Sequence, residues 1–282
     1  MRLFLSTIRK LVRRPATWVT FGLMVGLLML ILLAVAGTVG AGEGGGAVTV
    51  DDGDNGAASA RLLLTFPGAY ALILGFILGL GGLFAVLYAA AVAGSEWTWG
   101  TLKNTVARGE SRSLYMLMTF VAIIVVLAIG LLVTFAIGIV VGALGATIAG
   151  IPLDGLSDGT TLGSLPEELV RGWVVISAQA SIGFAVATLA RSQLAGIGVG
   201  IALYFGEAFA SIFLRDIVKY LPFDLATAAL AGSAGSTGGG GFGGSPDPSA
   251  LSADTALLLI TVWLIGSLVV ASAFTDRAEI TG

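Results

Sequence analysis

Six stretches of this chain are apolar for roughly twenty residues or more, and that pattern limits its fold more than any other feature. They run from Thr17 to Val39, Gly68 to Gly94, Leu114 to Ala149, Glu168 to Ala190, Leu194 to Leu214 and Thr255 to Phe274. In hydrocarbon every backbone N–H and C=O must bond within its own segment, so such stretches form helices that cross a core about 30 Å thick. The expected fold class is an all-α integral membrane protein with six transmembrane helices, and residues 1–282 are read as a single transmembrane domain. The third stretch exceeds one perpendicular crossing and must tilt or project. Composition agrees: only 11% of residues are charged, against roughly 25% in a soluble domain.

The basic residues set an orientation. With the N-terminus inside, Arg2, Arg9, Lys10, Arg13, Arg14, Lys103, Arg108, Arg112, Arg191 and Arg277 are cytoplasmic. Only Arg61, Arg171, Arg215 and Lys219 lie at or beyond the outer ends. The positive-inside rule therefore predicts both termini in the cytoplasm. Ala34-Val35-Ala36 resembles a small-residue cleavage site, but the apolar run before it exceeds the roughly 7–15 residues of a signal core, so it is read as a retained span.

Ahead of the first span, Leu3, Phe4, Ile8, Leu11 and Val12 fall on one side of a helix and the basic residues on the other. Residues 1–15 are expected to form an interfacial helix, with Arg9, Lys10, Arg13 and Arg14 on the membrane surface facing anionic lipid of the bilayer and Pro15 ending it.

Several chemistries are excluded. With neither histidine nor cysteine, the chain has no thiolate or imidazole metal site and no Ser-His triad. No P-loop occurs, because Lys10, Lys103 and Lys219 follow Arg, Leu and Val. Catalytic, metal and cofactor residues are not expected, nor is a nucleic-acid partner at a net charge of −3. Asp51-Asp52-Gly53-Asp54-Asn55-Gly56 lacks the twelfth-position glutamate of a calcium loop, having Leu63 there. Gly238, Gly240 and Gly243 sit in a Gly/Ser tract with no preceding strand, which reads as a linker.

Other signals are structural. Ser164-Leu165-Pro166-Glu167 predicts a capping box, and Ser252 with Asp254 a cap for the last span. G-x-x-x-G pairs at Gly22/Gly26, Gly75/Gly79, Gly138/Gly142 and Gly196/Gly200 are packing candidates, although 42 glycines yield several by chance. The segment 215–250 is expected to hold an outer re-entrant or interfacial hairpin followed by a Gly-rich loop. Arg171 and Glu207 lie at matching depths on consecutive spans, which predicts an intramembrane ion pair, or a pathway group at Glu207.

Between the second and third spans runs Glu96-Trp97-Thr98-Trp99-Gly100-Thr101-Leu102-Lys103-Asn104-Thr105-Val106-Ala107-Arg108-Gly109-Glu110-Ser111-Arg112. A short helix is expected from Thr98 to Ala107, ending at Arg108 and a Gly109 cap. Here the chain resembles the permease subunits of ABC-2 type ABC transporters, in which Glu, an aromatic, Gly-Thr-Leu and a later Ser-Arg follow the second span. The resemblance implies that segment 95–113 contains a cytoplasmic coupling helix. It implies ATPase-coupling or packing roles for Glu96, Gly100, Thr101, Leu102 and Arg112, beside which Trp97, Lys103 and Arg108 are candidates.

The resemblance further implies no enzyme in this chain. ATP and Mg would be bound by a separate cytoplasmic ABC ATPase subunit, present in two copies, and a second permease copy or homologue would complete a dimeric pathway. Export across a prokaryotic plasma membrane is the implied function. The scarcity of intramembrane charge points to a hydrophobic or amphiphilic cargo, drug-like or lipid-linked. The alternatives are a proton- or ion-coupled secondary transporter using Glu207, or a non-transporting scaffold.

Overall fold

The computed structural model describes residues 2–42, 60–101, 109, 111–230 and 251–277. These are helical, with no strand among the described residues. In chain order they form α1 (Arg2–Arg13), α2 (Pro15–Gly42), α3 (Gly68–Thr98), α4 (Arg112–Ile148), a 3-10 turn (Asp154–Ser157), α5 (Gly159–Leu189), α6 (Gln193–Ala210), the short α7 (Arg215–Val218), α8 (Pro222–Leu230) and α9 (Ala253–Arg277). Helices α2, α3, α4, α5, α6 and α9 are long and apolar enough to cross a membrane, one for each stretch expected from the sequence. At 37 residues, α4 is about 55 Å long by its rise per residue, so it overruns a core of about 30 Å as its sequence requires. The described residues leave aside the segment Asp51 to Gly56 expected in an outer loop, the expected coupling helix beyond Thr101 with Leu102, Lys103 and Arg108, and the Gly-rich tract 231–250 with Gly238, Gly240 and Gly243.

Helices α3 and α5 form the centre. Their most apolar windows are 56% and 78% buried, against 17% for α2 and for α6 and 11% for α9. Glycine permits the close approach: a Cβ at Gly183 would stand 2.4 Å from the Val86 carbonyl oxygen, and one at Gly94 would stand 2.2 Å from the backbone of Gln193 at the start of α6. Helix α6 buries only Gly196, Gly200 and Glu207, and it lies against α3 and α5. Helix α2 packs on α4, and α9 on α5 and α4. Phe120 and Phe184 meet edge to face at 5.3 Å within this core, a preferred aromatic geometry.

The G-x-x-x-G pairs divide. Gly196 and Gly200 face Ala187, Ala90 and Val86, and Gly138 faces Ile73 and Leu28, with Gly142 beside Ile73 and Phe66. Gly22, Gly26, Gly75 and Gly79 have no neighbour within 4 Å of an added Cβ, so those two pairs make no close contact among the described residues. Spacing alone does not say which side of a helix meets protein.

The start of α5 corrects the expected capping box. The helix begins at Gly159, not at Ser164, and Pro166 lies inside it. Asp158 is the cap: its carboxylate accepts the hydroxyls of Thr160 and Thr161 at 2.6 Å and the Thr161 amide at 3.2 Å. These bonds, led by that from Thr160, hold its carboxyl at about 2, below the ordinary 3.8. An anion at a helix N-terminus satisfies orphan donors and opposes the dipole, which outweighs the neutral Ser164 signal. At α9, Ser252 Oγ accepts the Thr255 amide at 3.4 Å.

Helices α1 and α2 meet at Arg14 and Pro15. Two last-turn carbonyls of α1 take side-chain donors from α2, Thr17 Oγ1 to Leu11 O at 2.6 Å and Trp18 Nε1 to Val12 O at 2.8 Å. Such carbonyls have no partner within their own helix, so these bonds set the angle of the α1–α2 corner. Helix α1 packs on α4 with Thr7, Leu11 and Arg14 buried. Helix α8 packs on α9 and α5, burying Phe223, Leu225, Ala226 and Ala229.

Candidate functional site

Glu96 lies in the last turn of α3 and is 1% exposed. A carboxylate this deep requires opposite charge and hydrogen bonds, and four side chains supply them. Lys10 Nζ donates to both oxygens at 2.7 Å, and Arg14 Nη2 donates to Oε1 at 2.7 Å. Tyr115 donates its hydroxyl to Oε2 at 2.7 Å and Thr101 at 2.5 Å. Arg14 Nη1 also reaches Ser95 Oγ at 2.8 Å. The junction thus joins α1, the end of α3, the first residue beyond its terminal turn and the start of α4. With both oxygens accepting several donors, it is a mechanical tie and not a ligand site.

Aromatic residues surround it. The Arg14 guanidinium lies 5.0 Å from the Trp99 ring centroid. Arg191, in the α5–α6 turn, stands over Trp97 at 5.2 Å and Phe274 of α9 at 5.6 Å, within cation–π range. Arg191 has φ +51°, a conformation that favours glycine. The Ser192 amide bonds to Ala187 O and the Arg191 amide to Thr188 O, the two bonds of a Schellman motif. Glycine would fit that backbone better, but it would remove the cation from between Trp97 and Phe274. Gly100, φ +63°, turns the chain after α3, and its added Cβ would meet nothing within 4 Å; its backbone conformation is what calls for glycine.

Of the residues singled out in the sequence, Glu96 and Thr101 are brought together, Trp97 and Gly100 adjoin them, and Arg112 opens α4. Leu102, Lys103 and Arg108 lie outside the described residues. Two expectations are corrected. Lys10 and Arg14 do not face the membrane surface; they turn onto Glu96 because its buried charge needs them, while Arg9 and Arg13 remain exposed. Arg171 and Glu207 do not pair. Arg171 bonds to Glu167 at 2.8 Å and reaches Asp254 at 3.5 Å. Glu207 Oε2 accepts the amides of Phe223 and Asp224 at 2.9 and 3.1 Å, so the first turn of α8 takes the place assigned to the arginine. Exposed donors at a helix N-terminus attract an anion as a cation does.

Tyr115, Ser95, Arg191 and Phe274 are not among the site residues expected from the sequence, in which Arg191 bears on orientation alone. The four-residue spacing of Lys10 and Arg14, which puts both on one helix face, was an available signal for a shared anion. Nothing local marked Tyr115 or Phe274, which reach the site only through packing. Among the described residues no three acidic side chains converge to hold a metal.

A family model described as "Protein of unknown function (DUF2705)" matches residues 69–271, which is more than half of the chain and includes Glu96, Arg191 and Glu207 but not α1. No curated protein matches the chain.

Proposed function

Starting from the fact that the chain belongs to the DUF2705 family, whose description leaves its activity open, we propose that it is the permease subunit of an ATP-driven ABC exporter of the ABC-2 type. The observation that carries this reading is the Glu96 junction. It ties α1, the residue that leads into the connection after α3, Thr101, and the first turn of α4 that follows that connection, at Tyr115, to the end of the buried helix α3. A soluble ATPase pressing on the segment between Thr101 and Arg112 would then displace α1, α3 and α4 together, not a slack loop. Two states of the pathway can be driven only if the ATPase binds them differently, and a rigid tie transmits that difference. In this reading the Glu96 end is cytoplasmic, two ATPase subunits dock there, and a second permease copy or homologue completes the pathway. Helices α7 and α8 form the re-entrant outer hairpin, the membrane is a prokaryotic plasma membrane, and the cargo is hydrophobic or amphiphilic.

The test is affinity purification from native membranes in mild detergent, with mass spectrometry of stoichiometric partners. It is repeated with Gly100 and Thr101 changed to bulky residues, and with Trp99→Ala, a milder change at an exposed ring. An ATPase retained by the wild type and lost by variants that keep their unfolding temperature is the expected result. Absence of any ATPase under several gentle conditions overturns the proposal.

One observation favours a second reading, a proton- or ion-coupled transporter. Glu207 is 4% exposed and its Oε1 has no hydrogen-bond partner among the described residues, and an intramembrane carboxylate in that state is a candidate for proton or cation handling. Transport driven by a proton gradient without ATP, and lost in Glu207→Gln, would select it.

A further inference from the structure

A cavity of about 330 Å³ opens between α2, α3 and α4, of a size with small-ligand sites, which span roughly 300–1,000 Å³. Gly81 and Ile176 form its floor, Gly130 lies along one wall, and Val12 and Trp18 stand at the α1–α2 corner. Trp18 is 62% exposed, so the groove is open to the surface that meets lipid. The hydroxyls of Thr17 and Tyr88 on its wall lie 3.0 Å apart, and Thr17 also donates to Leu11 O. Their hydrogen bonding is thus taken up within the protein, and the groove offers hydrocarbon contact.

Charge at the mouth names the occupant. Val12, which walls the groove, lies where the apolar side of α1 borders the basic one, half-exposed, three residues beyond Arg9 and next to Arg13 in the chain. Helix α1 has no acidic residue. Among the described residues Glu96 forms its ion pairs with Lys10 and Arg14. Arg9 and Arg13 are exposed and make no ion pair among the described residues. Two guanidiniums without an ion pair among the described residues therefore sit within one helical turn of Val12, which lines this apolar groove.

We infer that this groove is a binding site for an anionic phospholipid, with one acyl chain lying between α2 and α4 and the headgroup phosphate held by Arg9 and Arg13. Guanidinium forks suit a phosphate, and each basic residue near the surface enriches anionic lipid by roughly fivefold. The site requires neither an ATPase nor transport.

The full chain is reconstituted in phosphatidylcholine vesicles carrying a minor fraction of acyl-brominated phosphatidylglycerol or, in a matched sample, acyl-brominated phosphatidylcholine. Trp18 emission is taken as the difference between wild type and Trp18→Phe. The expected result is quenching by the anionic lipid at several-fold lower mole fraction than by the zwitterionic one, unaffected by free glycerol phosphate. Arg9→Gln with Arg13→Gln should abolish that preference. Gly130→Leu should abolish it with both arginines present, because its side chain fills the groove; an added Cβ at Gly130 meets nothing within 4 Å, so the helix tolerates it. Equal quenching by both lipids, or a preference that survives Gly130→Leu, overturns the inference. So does Trp18 shielded from both lipids until the protein is diluted to monomers, which would place a second copy in the groove.

Discussion

Replacing Glu96 with alanine removes the anion that four side chains share, and the cost can be worked from its partners. Lys10 keeps 31% of its side chain exposed and can return to water at little expense. Arg14 cannot: its side chain is 9% exposed, and among the described residues its Nε already lacks a partner and Ser95 alone would remain as a hydrogen-bond acceptor for the guanidinium. Stranding one partner of a buried ion pair costs about 3–5 kcal/mol. Glu96→Gln keeps a carbonyl acceptor for Arg14 and should cost less, on the order of 1.5–3 kcal/mol for charged hydrogen bonds made neutral. Since the chain has no cysteine, Leu11→Cys places a single reporter thiol at a position 1% exposed. Its maleimide labelling follows the opening of α1. At a factor of ten per 1.4 kcal/mol, Glu96→Ala should raise the labelling rate by roughly two to three and a half orders of magnitude. Adding Arg14→Met should recover most of that loss, because an apolar replacement of both charges is tolerated where one stranded charge is not. Labelling in Glu96→Ala within a few-fold of the parent, or no recovery in the double variant, would refute the argument that Glu96 fastens α1 to α3.

Gly94→Ala and Gly183→Ala should sharply lower the thermal stability of detergent-solubilised protein, because each Cβ meets backbone closer than 2.5 Å; Gly22→Ala and Gly26→Ala, with nothing within 4 Å, should not. Glu207→Ala should accelerate amide exchange at Phe223 and Asp224, whose N–H groups it accepts, while Arg171→Gln leaves both unchanged; faster exchange in Arg171→Gln would restore the coupling that the geometry denies. Asp158, held at about 2 against an ordinary 3.8, stabilises the start of α5 fully above its unfolded value and loses that contribution as pH falls through about 2. Asp158→Asn should therefore flatten the acid limb of the stability profile between those values.

The spans were legible because the bilayer constraint acts on each segment by itself: about twenty apolar residues make a crossing whatever lies beside them. The same local logic located α1, the break at Pro15, the Ser252 cap and the excess length of α4. The start of α5 was missed because a charged cap at Asp158 competed with a neutral one at Ser164, and only the folded turn brings Thr160 and Thr161 onto the carboxylate. The site divides in the same way. Glu96 stood out as an acid at the end of an apolar run, yet its partners lie as many as 86 positions away in the chain, where no spacing rule reaches. Depth matching paired Arg171 with Glu207 because depth depends on position along a helix. Contact depends also on rotation about the helix axis and on which neighbour arrives, and α8 arrived with two amides of its first turn. The sequence by itself therefore determined which segments are helical and long enough to span a membrane, through local hydrogen bonding and hydropathy. Tertiary packing alone decided what the buried charges meet, because burying an ion is tolerable only where distant helices place its counter-charge or donors within about 3 Å.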